Sequence, residues 1–417
     1  MSTPVAAVPT VATANSNSAS APKVAAAAGQ RVNAYGLNLP ASQSITLPGG
    51  LKHETLIIPS SSIPAFGGYF NVDIREHNIQ LHNITLQFNT SAVTGGTGYY
   101  NPGFFWFTRM EIVQGNSVLD TIYGNQQHLM NQLLFDDQDR LSTNNAAGNY
   151  ANVTQRGLIS STSSTNVMYV NLQTYFDQCK LPILTDAHNV QLRIYMDTFA
   201  NIFTTSTLTP LASINSVNAI CKVTRLDGAS AAQRMSDMRL APQHSIFHEL
   251  KYLPVTVPVG TSSTNIVLSS LVGNVAAIFF TVRPTITGVG AYTYLPIGSF
   301  AILDGASTNL VGGQALPASL CANILNRDWC KSSYHSETAF GVAANNTGAN
   351  FYCWSFSADP VGAIQGGQAL SSRKMLGQEQ IQINFATALA AQVQVDIYAM
   401  TESVIEQGLM EIRKVSL

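Results

Sequence analysis

The stretch WFTRMEIVQGNSVLDTIYG, residues 106–124, reads as a strand, a tight turn at Gly115 and a second short strand. A helix is expected directly after it, because residues 126–135 (QQHLMNQLLF) place Leu129, Leu133 and Leu134 at helical spacing. The same order returns later in the chain. FAILDGAS, residues 300–307, sets Gly305 on Gly115 at an offset of 190. LPASLCANIL, residues 316–325, then repeats the helical spacing with Leu316, Leu320, Ile324 and Leu325, with Pro317 in the first turn where proline is tolerated. Two further pairs keep the order. NIQL at 78–81 matches NVAA at 274–277, and the strand at 190–196 is set against 393–399, with offsets of 196 and 203. A slow drift of the offset is what loop insertions produce, so the favoured reading is two tandem copies of one β domain.

Working outward, the alternation is almost everywhere of period two. Val72 and Ile74, Ile79 and Leu81, then Ile84, Leu86 and Phe88 alternate with polar residues. Val190, Leu192, Ile194 and Met196 do the same, as do Ile381, Ile383 and Phe385, and Val393, Val395 and Ile397. These are half-buried strands. Clusters of Gly, Asn, Ser and Thr at 95–98, 144–145, 160–165 and 345–348 separate them as loops. Many short strands with long polar loops indicate an all-β sandwich or barrel. The strand pattern lapses at 226–245, where Asp227, Arg234, Asp237 and Arg239 concentrate charge, and the domain junction is placed there.

Composition narrows the function. Of 417 residues only 11% are charged, against roughly 25% in ordinary domains, while 46% are hydrophobic. Disorder needs the opposite balance. A net charge of −2 without any Lys or Arg run excludes a basic nucleic-acid binder. A weakly charged surface suits a protein that buries its outside against copies of itself, since interface cores are depleted in charge. The most apolar run, residues 271–282 (LVGNVAAIFFTV), is broken by Asn274 and stopped by Arg283, and reads as a buried strand rather than a membrane span. The N-terminus shows no charged segment followed by an apolar block, so no secretory signal is expected. Cys179, Cys221, Cys321, Cys330 and Cys353 have no metal-type spacing and are read as reduced thiols of a cytosolic product. Residues 1–38 form an arm, low in complexity to about residue 30 with Lys23 as its only charge there, and expected to be flexible.

Three segments carry a family resemblance. The opening stretch is similar to a signature "I-E-x-x-x-G" turn leading to "D-x-x-x-G" and a helix. FDQCKLPIL at 176–184, leading into NVQLRI at 189–194, resembles "L-P-L-x-A-L … V-x-L-x-I". YCWSFSADP at 352–360, followed by SSRK at 371–374, resembles "Y-S-F-x-x-x-P … F-S-R". The family is the double jelly-roll major capsid proteins of tailless icosahedral double-stranded DNA viruses, the tectivirus, adenovirus and nucleocytoplasmic large DNA virus lineage. Gln365-Gly-Gly-Gln368 and Lys374 depart from its usual pattern. The resemblance implies two tandem eight-stranded jelly rolls with short helices in loops, divided as an arm at 1–38, rolls at 39–238 and 239–402, and a tail at 403–417. It implies homotrimeric, pseudo-hexagonal capsomers in a virion shell, synthesised in the host cytoplasm. Partners would be other copies of the chain, penton and minor capsid or cement proteins, and an internal membrane met by the arm or the tail. It also implies outer loops, for which 144–164 and 284–295 are the candidates. The tail, ESVIEQGLMEIRKV at 402–415, has Val404, Ile405, Leu409 and Ile412 at roughly helical spacing and is read as an amphipathic helix, touching a neighbour or packed on its own domain.

No catalytic, cofactor or metal residue is assigned. His244 and His248, followed by Glu249, lack the His-Glu-x-x-His order, and the nearby prolines favour extended chain. Asp136, Asp137 and Asp139 fit a solvated loop beside Arg140 better than a calcium site. Gly312-Gly313 and Gly366-Gly367 are turn glycines without the Lys-Ser/Thr of a phosphate loop. The sequons at Asn83, Asn89, Asn152 and Asn345 are expected to stay bare. The alternatives to a coat protein are a jelly-roll carbohydrate-binding or attachment protein at a spike or vertex, a minor capsid protein, and an enzyme on a β scaffold. The first lacks an aromatic or calcium sugar site, the second needs only one roll, and the third lacks convergent titratable residues.

Overall fold

The period-two segments form strands, as their patterning requires. The computed structural model describes residues 30–32, 38–40, 52–90, 102–115, 117–134, 166–202, 214–288, 290–311, 314–320, 350–358 and 372–416. The short hairpin β1 (Gln30–Val32) and β2 (Asn38–Pro40) is antiparallel and belongs to a unit of its own. The rest of the arm lies outside the described residues, as do loop 144–164, Asp136 to Asp139, both Gly-Gly pairs, Cys321, Cys330, Asn152 and Asn345.

The first roll contains β3 (Lys52–Pro59), β4 (Tyr69–Ile74), β5 (Ile79–Thr90), β6 (Phe107–Gln114), β7 (Ser117–Tyr123), β8 (Asn166–Leu172), β9 (Pro182–Ile183), β10 (Val190–Met196) and β11 (Ile214–Arg225). One sheet runs β3–β11–β5–β8, with β9 beside β5, and the other runs β4–β10–β6–β7. Among the described residues three α-helices punctuate it: α1 (Gly124–Leu134), α2 (Tyr175–Cys179) and α3 (Gly228–Leu240). The second roll contains β12 (Gln243–Val257), β13 (Ser263–Val267), β14 (Gly273–Pro284), β15 (Ser299–Leu303), β16 (Leu316–Pro317), α4 (Ala318–Leu320), β17 (Phe351–Ser355), β18 (Arg373–Met375), β19 (Gln380–Asn384), β20 (Val393–Gln407) and β21 (Ile412–Ser416). Its sheets run β12–β20–β14–β17, with β18 beside β14 and β21 beside β20, and β13–β19–β15–β16. Strand for strand, the second order repeats the first. β3, β11, β5 and β8 become β12, β20, β14 and β17, while β4, β10, β6 and β7 become β13, β19, β15 and β16. The chain is therefore two tandem eight-stranded jelly rolls.

That equivalence keeps two of the sequence alignments and corrects one. Gly115 with Gly305 (β6 with β15) and residues 78–81 with 274–277 (β5 with β14) fall on matching strands. Residues 190–196 are β10, whose counterpart is β19 rather than the β20 segment at 393–399. Alternation fixes which face of a strand is buried, not which strand it is, and any two amphipathic strands align.

Each roll closes on its inward faces. Val190, Leu192, Ile194 and Met196 of β10 point into a core shared with Phe70, Phe88, Trp106 and Phe107. Ile266, Ile278, Phe280, Phe300, Ile302, Ile383 and Ile397 form the second core. Each such side chain contributes about 1.5–3 kcal/mol by leaving water. In β14 residues 275–282 are buried on both faces. Ile278, Phe280 and Val282 enter the roll, whereas Ala276, Ala277 and Phe279 enter a separate cluster. This explains why residues 271–282 lack alternation.

Three local expectations change. The tail is not a helix: β20 continues to Gln407, a turn closes with Gly408 N–H donating to Glu411 C=O at 2.9 Å, and β21 returns antiparallel along β20. The boundary at 402 thus falls inside a strand. Ile405 and Ile412 leave the second roll and enter the core of the first, and that burial outweighs their helical spacing. Residues 316–317 are a strand paired with β15, and only Ala318–Leu320 of the second expected helix are helical among the described residues. The junction at 226–245 holds α3, capped by Asp227, whose carboxylate accepts from Ser230 N–H at 2.6 Å.

Candidate functional site

The most constructed part of the molecule is the seam between the two rolls. It begins at the opening motif. Gly115 turns the β6–β7 hairpin at φ +59°, a conformation glycine adopts without penalty. Gly124 starts α1 against the chain at Phe104 and Phe107. A Cβ there would lie 2.0 Å from Phe104 O and 2.4 Å from Phe107 O, so no other residue fits. This glycine lets α1 press its buried side onto the second roll. Leu129 and Met130 pack with Ala276, Ala277, Phe279, Phe351 and Met400.

A polar network runs through the same contact. Asn125 of α1 donates to the Tyr398 hydroxyl at 3.1 Å and to Asp396 Oδ2 at 3.4 Å, and accepts from the Tyr294 hydroxyl. Asp396, 1% exposed, accepts from Arg283 Nε, Tyr252 OH and Gln394 Nε2, each at 2.6 Å. A buried carboxylate is tolerated only with such a set of partners. Burial raises the Tyr252 and Tyr398 hydroxyls above their usual range, and Asp396 adds to the effect. Beyond Arg283, Tyr292 donates to Asp197 of the first roll, and Gly288 N–H donates to Asn201 Oδ1. Residues 291–294 therefore plug the seam: Ala291 and Tyr294 are each 2% exposed. That corrects the expectation of an outer loop at 284–295 for residues 291–294, while residues 285–287 are exposed. The aromatic side chains there find buried acceptors that sequence spacing does not reveal.

The other end of the seam is made by β12, β20 and β21. The edge of β12 is closed by a side chain acting as a strand. Gln178 of α2 accepts from His248 N–H at 2.8 Å and donates to His248 C=O at 3.1 Å. Gln407 Nε2 donates to Pro182 C=O at 2.7 Å, and His188 Nε2 bonds Gly408 C=O at 2.8 Å. Burial lowers the pKa of His188, so the ring is neutral, with Nε2–H donating and Nδ1 accepting from Leu184 N–H at 3.4 Å. Glu249 accepts from Ser403 Oγ at 2.6 Å and pairs with Lys414 at 2.7 Å. Asp120 of β7, buried beside them, has its pKa raised to about 7 by desolvation, with Lys414 opposing and Glu249 reinforcing.

His248 and Glu249, weighed above as metal ligands, thus sit inside the seam, while His244 is exposed on the same strand. No group of three His, Cys, Asp or Glu suited to a metal occurs among the described residues. His128 of α1 is fully buried among Phe104, Phe105 and Tyr294. Neither ring nitrogen has a hydrogen-bond partner among the described residues, and burial pushes its pKa down to about 3. Gln178, Asn125 and Asp396 carry no motif, and sequence reasoning passes over them. The only signal is an amide or a carboxylate inside an otherwise apolar run. Among the described residues no helix is long and apolar enough to cross a membrane. The seam holds two rolls as one unit.

Outside the seam, β3 and β4 each pair on one side only among the described residues. Ile57, Ile63 and Tyr69 beside them are exposed at 64%, 86% and 67%.

No family model matches this chain, and no curated protein matches it by sequence. Solved structures do match it by fold. The quasi-atomic model of the PBCV-1 virus capsid aligns with a TM-score of 0.65 at 15% identity, covering 89% of this chain and 99% of that one. The Faustovirus major capsid protein aligns with a TM-score of 0.63 at 8% identity, covering 88% and 92%. A chain of the Sputnik virophage structure aligns with a TM-score of 0.56 at 11% identity, covering 89% and 90%. The double jelly-roll fold of viral major capsid proteins is therefore the fold of this chain.

Proposed function

We propose that this chain is the major capsid protein of an icosahedral double-stranded DNA virus, with a structural role and no catalytic one. The observation that carries the reading is the strand-for-strand repetition of one jelly roll, joined by a buried seam. Two such lobes, taken three times around an axis, give a six-lobed outline that tiles a pseudo-hexagonal sheet. A closed three-fold contact makes the homotrimeric capsomer, and a second set of contacts between capsomers extends the lattice. The edges of β3 and β4, unpaired among the described residues, with exposed Ile57, Ile63 and Tyr69, supply apolar area and backbone groups for one of these contacts. The low charge of the chain lets many copies dock without mutual repulsion. We assign the N-terminal segment with β1 and β2 to an arm, β3 to β11 to the first roll and β12 to β21 to the second, whose final hairpin, β20 and β21, packs back on the first. The chain resides in the capsid shell after synthesis in the host cytoplasm, and penton and minor capsid or cement proteins complete the particle.

Light scattering on the purified chain tests this. A mass three times that of the chain, kept on dilution, is expected. A monomer at high concentration contradicts the capsomer and returns weight to an attachment protein.

A further inference from the structure

A second constructed feature lies away from the seam, on the outer face of the β3–β11–β5 sheet. β5 pairs with β11 in regular register as far as Asn83 opposite Lys222, and the next pair is Leu81 opposite Val223. His82 is the residue left over. This is a β-bulge, and it turns His82 to the same face as Asn83. The sequence carries its trace, since alternation shifts by one between Leu81 and Ile84.

The bulge brings His82 to Thr224, which is 2% exposed. Thr224 Oγ1 lies 2.6 Å from His82 Nε2 and 2.9 Å from Nδ1 of His53, the residue opposite it on β3. A hydroxyl has a single proton, so it donates to one imidazole and accepts an N–H from the other. The two rings are held 6.4 Å apart over a groove of about 510 Å³. Lys222 lines one side, two residues from Thr224 on the same face. Lys180 lines another, placed by the left-handed turn that ends α2 (φ +51°) and by Gln80, which donates to its carbonyl.

The charge in this groove is unbalanced. Its one lining carboxylate, Glu54, is already paired with Lys52 at 2.7 Å and Arg225 at 3.0 Å. Neither Lys180 nor Lys222 meets a carboxylate among the described residues. Asp177, the nearest acid of α2, is occupied by Asn83 and Thr174. A chain with 21 basic residues in 417 has thus gathered two lysines, unpaired among the described residues, and two histidines around one hydroxyl.

We propose that this groove is a binding site for a phosphoryl oxyanion, either free phosphate or the phosphomonoester headgroup of a lipid. The two ammonium groups match a dianion. The ring N–H groups supply directional donors, and the volume leaves room for an organic substituent on the phosphate. Burial lowers the pKa of His82, with Lys180 and His53 adding to the effect. A bound dianion counters the repulsion from Lys180 and His53 and favours the imidazolium, which donates from both ring nitrogens.

Calorimetric titration of the full-length protein with inorganic phosphate near pH 8, where phosphate is mostly the dianion, tests this. One saturable site per chain is expected. Lys180→Gln with Lys222→Gln is expected to weaken it at least about tenfold, by the loss of two charge-assisted contacts, with melting temperature and oligomeric mass unchanged. Sedimentation with phosphatidylcholine vesicles, with and without phosphatidic acid, separates the sources. Phosphate-dependent vesicle binding lost in the double variant assigns the lipid, and binding of soluble phosphate alone assigns the free ion. Absence of saturable binding, or equal affinity in wild type and double variant, overturns the proposal. Neither result bears on the capsomer mass, so failure here is distinguishable from failure of the capsid reading.

Discussion

The interiors of the two rolls and the seam between them are built on different physics. The rolls are held by apolar side chains on alternating positions, such as Val190, Leu192 and Ile194. Any one of them can be replaced by a similar volume at modest cost. The seam adds to its apolar contacts single polar groups without substitutes: Asp396 serves Arg283, Tyr252, Gln394 and Asn125, and Gln178 serves both backbone groups of His248. The lesson is that the fold tolerates substitution within each copy, while the join between copies also depends on a few hydrogen bonds.

The sharpest way to break that contrast is to change Asp396. Asp396→Ala leaves Arg283 half-buried without its carboxylate, and we expect a loss of about 3–5 kcal/mol. The thermal unfolding of this variant should split into two transitions as the rolls uncouple. Phe280→Ala, inside the second core, should cost a similar ~3–5 kcal/mol but keep a single transition. Calorimetry distinguishes the two.

Acid is the next lever. The folded pKa of His128, about 3, lies below its ordinary 6.5. The unfolded chain therefore binds the extra proton first, and stability is lost as pH falls from about 6.5 toward 3. The loss amounts to roughly 2 kcal/mol at pH 5. His128→Phe should flatten this acid limb in denaturant titrations. Asp120 acts in the opposite sense. Its folded pKa of about 7 exceeds the ordinary 3.8, so its contribution is greatest in acid and declines as pH rises from about 4 through 7. Asp120→Asn should remove that decline.

Gln178→Ala should cost about 1–2 kcal/mol, because it strands a buried backbone N–H and C=O of His248. Hydrogen exchange at the His248 amide should rise while amides in β10 stay protected. At the small end, Arg75→Ala breaks an exposed pair with Asp73 at 3.1 Å and should change stability by less than about 0.5 kcal/mol. A larger effect would mean that surface charge, not the seam, sets the balance.

The same contrast governs what the sequence discloses. Alternation placed β4, β5, β10, β19 and β20, and α1 was legible from the spacing of its leucines. The duplication was legible from the hairpin at Gly115 and its counterpart at Gly305. What alternation could not supply is identity among strands, hence the mispaired β10 and β20. It also could not announce that Ile405 and Ile412 cross to the other roll, because a residue buried in a foreign core looks like one buried in its own. α3 escaped notice because its face is mostly Ala, Ser and Met, with only Ala231 and Met238 buried. The seam was least legible of all. Asn125, Gln178 and Asp396 matter through partners 70 or more residues away, and no local pattern encodes that distance.

Differential scanning calorimetry of the purified full-length chain tests the central claim most directly. If the seam makes the two rolls one unit, a single endotherm is expected, with a van't Hoff enthalpy at least equal to the calorimetric enthalpy per chain. Two resolved endotherms, each carrying about half the heat, would contradict it and would mean that the rolls are neighbours rather than one block.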